Sequence, residues 1–252
     1  MPRFFVSKEQ ISNDIITISG DDAHHIARSL RMAVGEHITV CDMQTSEYEC
    51  ELVAFDEDRV VTARILSQRT LGVESPLCIT LYQALPKGDK LDTIIQKAVE
   101  CGVSRVVPFE SENCIVRVKQ DAENRKTERR NRIAFEAAKQ CGRGILPTVE
   151  PTLSFDAMLQ QALNADLVLF CYEGEDASSL RDVLMQYHST SVPNDARKTV
   201  AVIIGSEGGF APKEAEQARM AGCMIVNLGP RILRTETASA FVLSALAYEF
   251  EL

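Results

Sequence analysis

The sequence predicts an α/β protein in which a small β-barrel precedes a larger domain built on a parallel sheet. Three observations carry this. Residues 1 to about 70 hold short β-branched runs separated by turn residues. From Leu77 the rhythm changes to an apolar strand followed by a helix, and this repeats to the C-terminus. Between the two regimes lies S-Q-R-T-L-G-V-E-S-P, polar and broken by Gly72 and Pro76. Strands that alternate with helices imply a parallel sheet covered on both faces. The boundaries read from the pattern are 1–70 for the first domain and 77–252 for the second.

In the first domain the candidate strands are 15–18, 37–41, 47–55 and 60–66. Gly20-Asp21-Asp22 and Asp56-Glu57-Asp58 supply turn chemistry. The stretch 24–32 is the one helical insert, with Ile26, Leu30 and Ala33 as a partial apolar face. In the second domain 77–85 reads as a strand, and 87–101 as a helix with Leu91, Ile94, Ile95, Ala98 and Val99 at helical spacing, stopped by Gly102. A strand at 105–109 and a long charged helix at 121–141 follow. Next come a helix at 154–163, a strand at 166–172 and a polar connection at 173–197 that contains a short helix. The strands 199–204 and 223–228 each end in a glycine-marked loop, and the helices 212–221 and 235–250 follow them. Ala238, Phe241, Val242, Ala245 and Leu246 form an apolar stripe on the last helix.

Composition narrows the class. The chain has 252 residues, 45% hydrophobic and 25% charged, which is ordinary for a globular protein. No apolar run approaches the ~20 residues a membrane helix needs, and the start lacks a signal-peptide core, so a cytoplasmic protein is expected. The eight cysteines include no C-x-x-C pair and read as buried thiols. His24 and His25 are adjacent and point different ways, so no metal site is expected. The net charge of −9 argues against a general nucleic-acid clamp, yet 117–143 carries nine Lys or Arg against four acids. Such a segment is either a solvated helix face or a phosphate-contacting one.

The two glycine loops organise the second domain. Gly205-Ser206-Glu207-Gly208-Gly209-Phe210 is spaced unlike a dinucleotide fingerprint or a Walker loop, and contains no lysine. Glu207 would repel a pyrophosphate. A nucleotide-dependent oxidoreductase is therefore excluded, and a ligand without phosphate that carries positive charge suits the loop. Together with Gly229-Pro230-Arg231-Ile232-Leu233-Arg234-Thr235-Glu236-Thr237-Ala238, it is expected to build one crevice at the carboxyl ends of the strands.

These two motifs resemble the signature of the ribosomal RNA small subunit methyltransferase E family. Upstream matches include Gln83-Ala84-Leu85-Pro86-Lys87-Gly88-Asp89-Lys90, Pro108-Phe109-Glu110-Ser111-Glu112 and Glu136-Ala137-Ala138-Lys139-Gln140-Cys141-Gly142-Arg143. The opening Arg3-Phe4-Phe5-Val6 also fits, so the resemblance covers nearly the whole chain. Ser206 stands where the family pattern would have proline, which leaves the glycines and Glu207 in place. The resemblance implies a SPOUT-type parallel-sheet domain with a C-terminal trefoil knot, preceded by a PUA-like domain. It implies a homodimer that uses S-adenosyl-L-methionine to methylate N3 of one uridine in 16S rRNA of the small ribosomal subunit. A non-catalytic RNA-binding protein on the same fold, or a methyltransferase acting on a ribose 2′-hydroxyl, are the alternatives.

On that reading Ile204, Gly205, Glu207, Gly208 and Gly209 of the first loop contact the cofactor. Leu228, Gly229, Ile232, Leu233, Glu236 and Ala238 of the second do the same. N3 of uridine becomes nucleophilic only as its proton leaves, so arginines near the flanking carbonyl oxygens are catalytic candidates. Arg143 and Arg234 fill that role, and Glu207 is the candidate base. Arg3, His24, Arg28 and Arg31 in the first domain, with Arg117 and Arg129 in the basic segment, are the candidates for RNA contact.

Overall fold

The structure is a computed structural model that describes residues 1–56, 59–118, 120–174, 176–190 and 197–252. Glu57 and Asp58 of the expected turn, Lys119 of the basic segment, and residues 175 and 191–196 of the polar connection lie outside the described residues. The chain forms two compact units, Met1–Glu74 with Ala138–Leu146, and Ser75–Ala137 with Pro147–Leu252.

The first unit contains β1 (Arg3–Phe5), β2 (Ile11–Ser12), β3 (Ile15–Ser19), β4 (His37–Cys41), β5 (Ser46–Asp56) and β6 (Val60–Thr70) in the order β1-β4-β5-β6-β3-β2. Inward side chains from the strands, including Ile16, Ile18, Ile38, Val40, Cys50, Leu52, Val61 and Ala63, meet in one core. The short helix α1 (Asp21–His24) and the wider turn that follows add Ala23 and Ile26 to it. Register shifts in β5 at Glu49/Cys50 and Leu52/Ala54 increase the local twist of the long hairpin. The strands β1 and β2 have three and two residues. Runs that short carry no periodicity, and β1 is fixed by parallel pairing to β4, Arg3 opposite Thr39.

Residues 138–146 belong to this unit through Glu74. Its carboxylate accepts Arg143 Nη2 at 2.6 Å and the backbone N–H groups of Gly144 and Ile145 at 3.0 and 3.1 Å. Gly144 lies against Leu71, and a Cβ there would sit 2.0 Å from Leu71 Cδ2, so a larger residue would require that side chain to move. Burial by itself would raise the Glu74 pKa, but the Arg143 guanidinium and the two N–H groups outweigh it and hold it below the usual carboxylate value.

In the second unit β7 (Leu77–Ala84), β8 (Arg105–Glu110), β9 (Thr148–Val149), β10 (Leu153–Ser154), β11 (Leu167–Cys171), β12 (Ser178–Ser179), β13 (Lys198–Ile204) and β14 (Met224–Asn227) form one sheet, every described pair parallel. Its order is β10-β8-β7-β13-β11-β14-β12, with β9 on β8. The helices are α2 (Lys90–Glu100), α3 (Gln120–Cys141, its last residues counted with the first unit), α4 (Phe155–Ala162), α5 (Leu180–Thr190), α6 (Pro212–Met220) and α7 (Thr235–Glu251). Leu91, Ile94, Ile95, Ala98 and Val99 of α2 are buried as their spacing requires. Phe109, Phe155, Phe170 and Phe210 form an aromatic cluster, with Phe170 and Phe210 centroids 4.2 Å apart. On α7 the buried stripe is Ala238, Ser239, Val242, Leu243 and Leu246. Phe241, read from the sequence as part of it, is 44% exposed, because it precedes Val242 and so lies about 100° round the helix from it, off the buried stripe.

Replacing Arg143 by Ala leaves the Glu74 charge buried without its guanidinium. The expected cost is about 3–5 kcal/mol in urea unfolding at neutral pH. The depressed pKa makes the pair's stabilisation complete above the ordinary carboxylate value, and lost as pH falls through the lower folded-state value. The deficit of Arg143→Ala should therefore shrink in acid, which unfolding curves at several pH values will measure.

Candidate active site

Strand order decides what the crevice contains. The strands that carry the two glycine loops, β13 and β14, are not neighbours, since β11 runs between them. Their loops therefore close over the carboxyl end of β11, where Cys171, Tyr172 and Glu173 lie. The result is a crevice of about 600 Å³ lined by the ends of all three strands and the start of α7.

Most of the expected cofactor residues meet there. Ile204, Gly205, Glu207, Gly208 and Gly209 line it from the first loop, and Leu228, Ile232, Leu233 and Ala238 from the second. Arg234 lines it too, with an exposed side chain. Gly229 lies instead on a smaller neighbouring cavity that shares Ile232 and Glu173. Glu236 reaches the site through Lys90, whose Nζ stands 3.6 Å from its Oε2. The sequence reading missed Lys90, Cys171, Tyr172, Glu173, Ser206, Phe210, Val226 and Thr235 as lining residues. Lys90 closes the motif that begins at Gln83, whereas the β11 residues give no local signal.

Backbone geometry fixes the first loop. Gly209 N–H donates to Ser206 O at 3.0 Å, closing a tight turn. Asn113 Nδ2 donates to Gly208 O at 3.0 Å, and a Cβ on Gly208 would stand 3.0 Å from both Asn113 Cβ and its carbonyl oxygen. At the next helix, Glu214 is 4% exposed and accepts the N–H of Ala211 and of Glu112, both at 2.9 Å. Phe210 serves the aromatic core as well as the crevice wall.

Lys90 joins the loops electrostatically. Its ammonium donates to Glu207 Oε1 at 2.9 Å, and the Lys87 N–H points to the same carboxylate at 3.2 and 3.3 Å. Burial would raise the Glu207 pKa, but these donors lower it overall, while the hydrogen bond to Glu207 raises that of Lys90. A carboxylate held this way is a good acceptor for cationic groups and a poor proton acceptor at neutral pH. The geometry therefore suits Glu207 to holding a ligand better than to the base role expected for it.

The remaining candidates are not among the residues that line the crevice. Arg143 belongs to the first unit, and its side chain is 6% exposed against Glu74. Its guanidinium pairs with that carboxylate, which gives it a structural role. Arg3 donates to Glu47 Oε2 at 2.5 Å and is 16% exposed, which leaves little of it for RNA. His24, Arg28 and Arg31 are exposed on the stretch that includes α1. Arg117 donates to the carbonyls of Ser111 and Glu112 at 3.0 Å, and Arg129 pairs with Asp92 while staying 64% exposed. Arg130 of the basic segment is buried on Glu123. Arg125, Arg129 and Arg132, at i, i+4 and i+7 of α3, are exposed on one face.

The chain is similar to known RNA methyltransferases. Residues 73–247 match the model of an RNA methyltransferase domain, and 18–63 that of an RNA methyltransferase PUA domain. The ribosomal RNA small subunit methyltransferase E of Bacillus subtilis is 34% identical over 257 residues, covering 100% of this chain and 98% of the relative. The chain belongs to the ribosomal RNA small subunit methyltransferase E family. The Aquifex aeolicus member is 30% identical, covering 96% of this chain and 97% of its own. A crystal structure of the Neisseria gonorrhoeae member, bound to S-adenosyl methionine, superposes with a TM-score of 0.80 at 30% identity, over 98% of this chain and 97% of that one. The α/β class, with a PUA domain before a mostly parallel sheet, follows from family and topology together.

The crevice tests the fit to the family's cofactor. Apolar walls from Ile204, Leu228, Leu233 and Ala238 suit a flat heteroaromatic ring, and Glu207 and Glu173 suit cationic groups. The residues present fit S-adenosyl-L-methionine. Gly208→Ala should force Asn113 aside, costing about 1–3 kcal/mol of stability in urea unfolding and weakening ligand binding in the crevice.

Proposed function

We propose that this chain transfers the methyl group of S-adenosyl-L-methionine to N3 of one uridine in the 16S rRNA of the small ribosomal subunit. The observation that carries the reading is the crevice itself, where three parallel strands end beneath two glycine loops and carboxylates stand beside apolar walls. When bound there, the cofactor supplies an electrophilic methyl group on a sulfonium. Gly205, Gly208 and Gly209 let the main chain approach it, and Ile232, 86% exposed though it lines the crevice, offers apolar surface to be covered. Glu207 and Glu173 are suited to its cationic and hydroxyl groups, with Lys90 holding Glu207 in place.

For N3 to be methylated it must lose its proton, and negative charge then gathers on the two flanking carbonyl oxygens. Arg234 is the crevice residue suited to stabilise that charge, being cationic, exposed and next to the start of α7. The target base must be unpaired or drawn from its stack to reach it. The exposed face of Arg125, Arg129 and Arg132 is suited to phosphate contact, as are His24, Arg28 and Arg31 in the first unit. The same family reading carries a cytoplasmic site of action, a C-terminal trefoil knot and a homodimer. Phe241 and Tyr248, 44% and 73% exposed on α7, are apolar surface available to a second copy. Among the described residues no helix is long and apolar enough to cross a membrane.

The decisive experiment is methyl transfer from labelled S-adenosylmethionine to small subunits lacking the modification, followed by identification of the product nucleoside. 3-Methyluridine is the expected product. A 2′-O-methylated nucleoside would overturn the base assignment, and cofactor binding with RNA binding but no transfer would favour a non-catalytic protein. Arg234→Ala should lower kcat by roughly 10²–10³-fold with cofactor affinity nearly intact. Replacing Arg125, Arg129 and Arg132 by Ala should weaken RNA binding and reduce its salt slope by about one for each phosphate no longer neutralised, as titrations at several salt concentrations will read.

A further inference from the structure

Beneath the crevice one buried side chain ties the two loops to a strand that carries neither. Gln83, near the end of β7, is 0% exposed. Its Nε2 donates to Thr235 Oγ1 at 2.9 Å and to Ala84 O at 3.0 Å, with Gly205 O a longer 3.4 Å away. Thr235 Oγ1 in turn donates to Gly205 O at 2.6 Å. The direction of the chain is fixed by chemistry. A carbonyl can only accept, so the Thr235 hydroxyl spends its proton on Gly205 and must receive one from the carboxamide. Gly205 opens the first loop, Thr235 closes the second and begins α7, and both line the crevice.

The carboxamide is not what stability alone would place here. Gln83 Oε1 is buried without a hydrogen-bond partner among the described residues, which costs the fold the desolvation of an acceptor. A methionine would fill similar volume without that cost, but would take the donors from Ala84 O and Thr235 Oγ1. What the glutamine contributes is its donors, and they are directed at the junction of the two loops.

We infer that Gln83 is a positioning residue for cofactor binding, acting through the Thr235 hydroxyl to hold the Gly205 carbonyl and the start of α7 in one fixed arrangement. The inference rests on the cofactor reading above and adds to it a residue that does not itself line the crevice. A loop that is already ordered pays less entropy when ligand binds, so breaking the relay at Gln83 lowers affinity without removing a group that lines the crevice.

The test is calorimetric titration of S-adenosylmethionine and S-adenosylhomocysteine into wild type, Gln83→Met, Thr235→Val, Thr235→Ser and the Gln83→Met/Thr235→Val double variant, alongside urea unfolding without ligand. Gln83→Met and Thr235→Val should each weaken both ligands about tenfold, as loss of a buried hydrogen bond would. Thr235→Ser, which keeps the hydroxyl, should recover wild-type affinity to within about twofold. The double variant should be no weaker than the worse single by more than about twofold, since the two residues act as one unit. The urea midpoint of Gln83→Met should stay near that of wild type, because removing the orphan acceptor offsets the loss of the donors to Ala84 O and Thr235 Oγ1. Unchanged affinity in Gln83→Met, with or without lost stability, overturns the inference, as do additive losses in the double variant. Failure of wild type to bind either ligand overturns the cofactor reading and this inference together, so the two failures are distinguishable.

Discussion

The parallel register of β13 against β7 is the constraint on which the crevice depends. Seven pairs run from Lys198 opposite Leu77 to Ile204 opposite Gln83, and the first glycine loop begins one residue later. A slip of one position would move that loop by about 3.3 Å and turn every side chain of β13 to the other face. It would also part Gln83 from the Gly205 carbonyl. Both faces of β13 are covered, and Val200 to Ile204 are all buried, so the slip is opposed along the whole strand. The position of a flexible-looking glycine loop is thereby set by a rigid element that precedes it.

The same sheet explains why the crevice combines charge with apolar wall. Parallel strands end together, and their loops gather at one edge where helix N-termini also lie. Glu207 and Glu236, one from each loop, would repel one another if left alone. Lys90 comes from α2, a third element, and its ammonium donates to Glu207 and stands 3.6 Å from Glu236, which offsets their repulsion. The outcome is a cluster with one more negative than positive charge, matched to a cofactor whose sulfonium adds positive charge and mismatched to a phosphate.

What could be read from the sequence was local or periodic. The long strands and the helices of the second unit follow from apolar spacing, and the glycine loops from their own composition. Crevice residues contributed by β11 could not be found in this way, because a strand's neighbours are not written in its own periodicity. Gln83 was hidden for a related reason: within an apolar run, one polar residue carries no sign of what it will meet 122 or 152 residues later. Arg143 misled in the opposite direction. Its flanking glycines suggested an exposed functional loop, but Gly144 packs against the Leu71 side chain, and the guanidinium is buried on a carboxylate 69 residues earlier.

That carboxylate has a consequence for how the two units can be handled. The first unit takes one of its segments from the middle of the second, so no single cut in the polypeptide divides them. A fragment ending at Glu74 would keep the acid and lose the arginine and the two amides that neutralise it. A chimaera that exchanged only residues 1–74 with those of a relative would have to match a surface encoded elsewhere in the gene. The two segments of the first unit thus have to match one another, and residues 1–74 do not exchange alone.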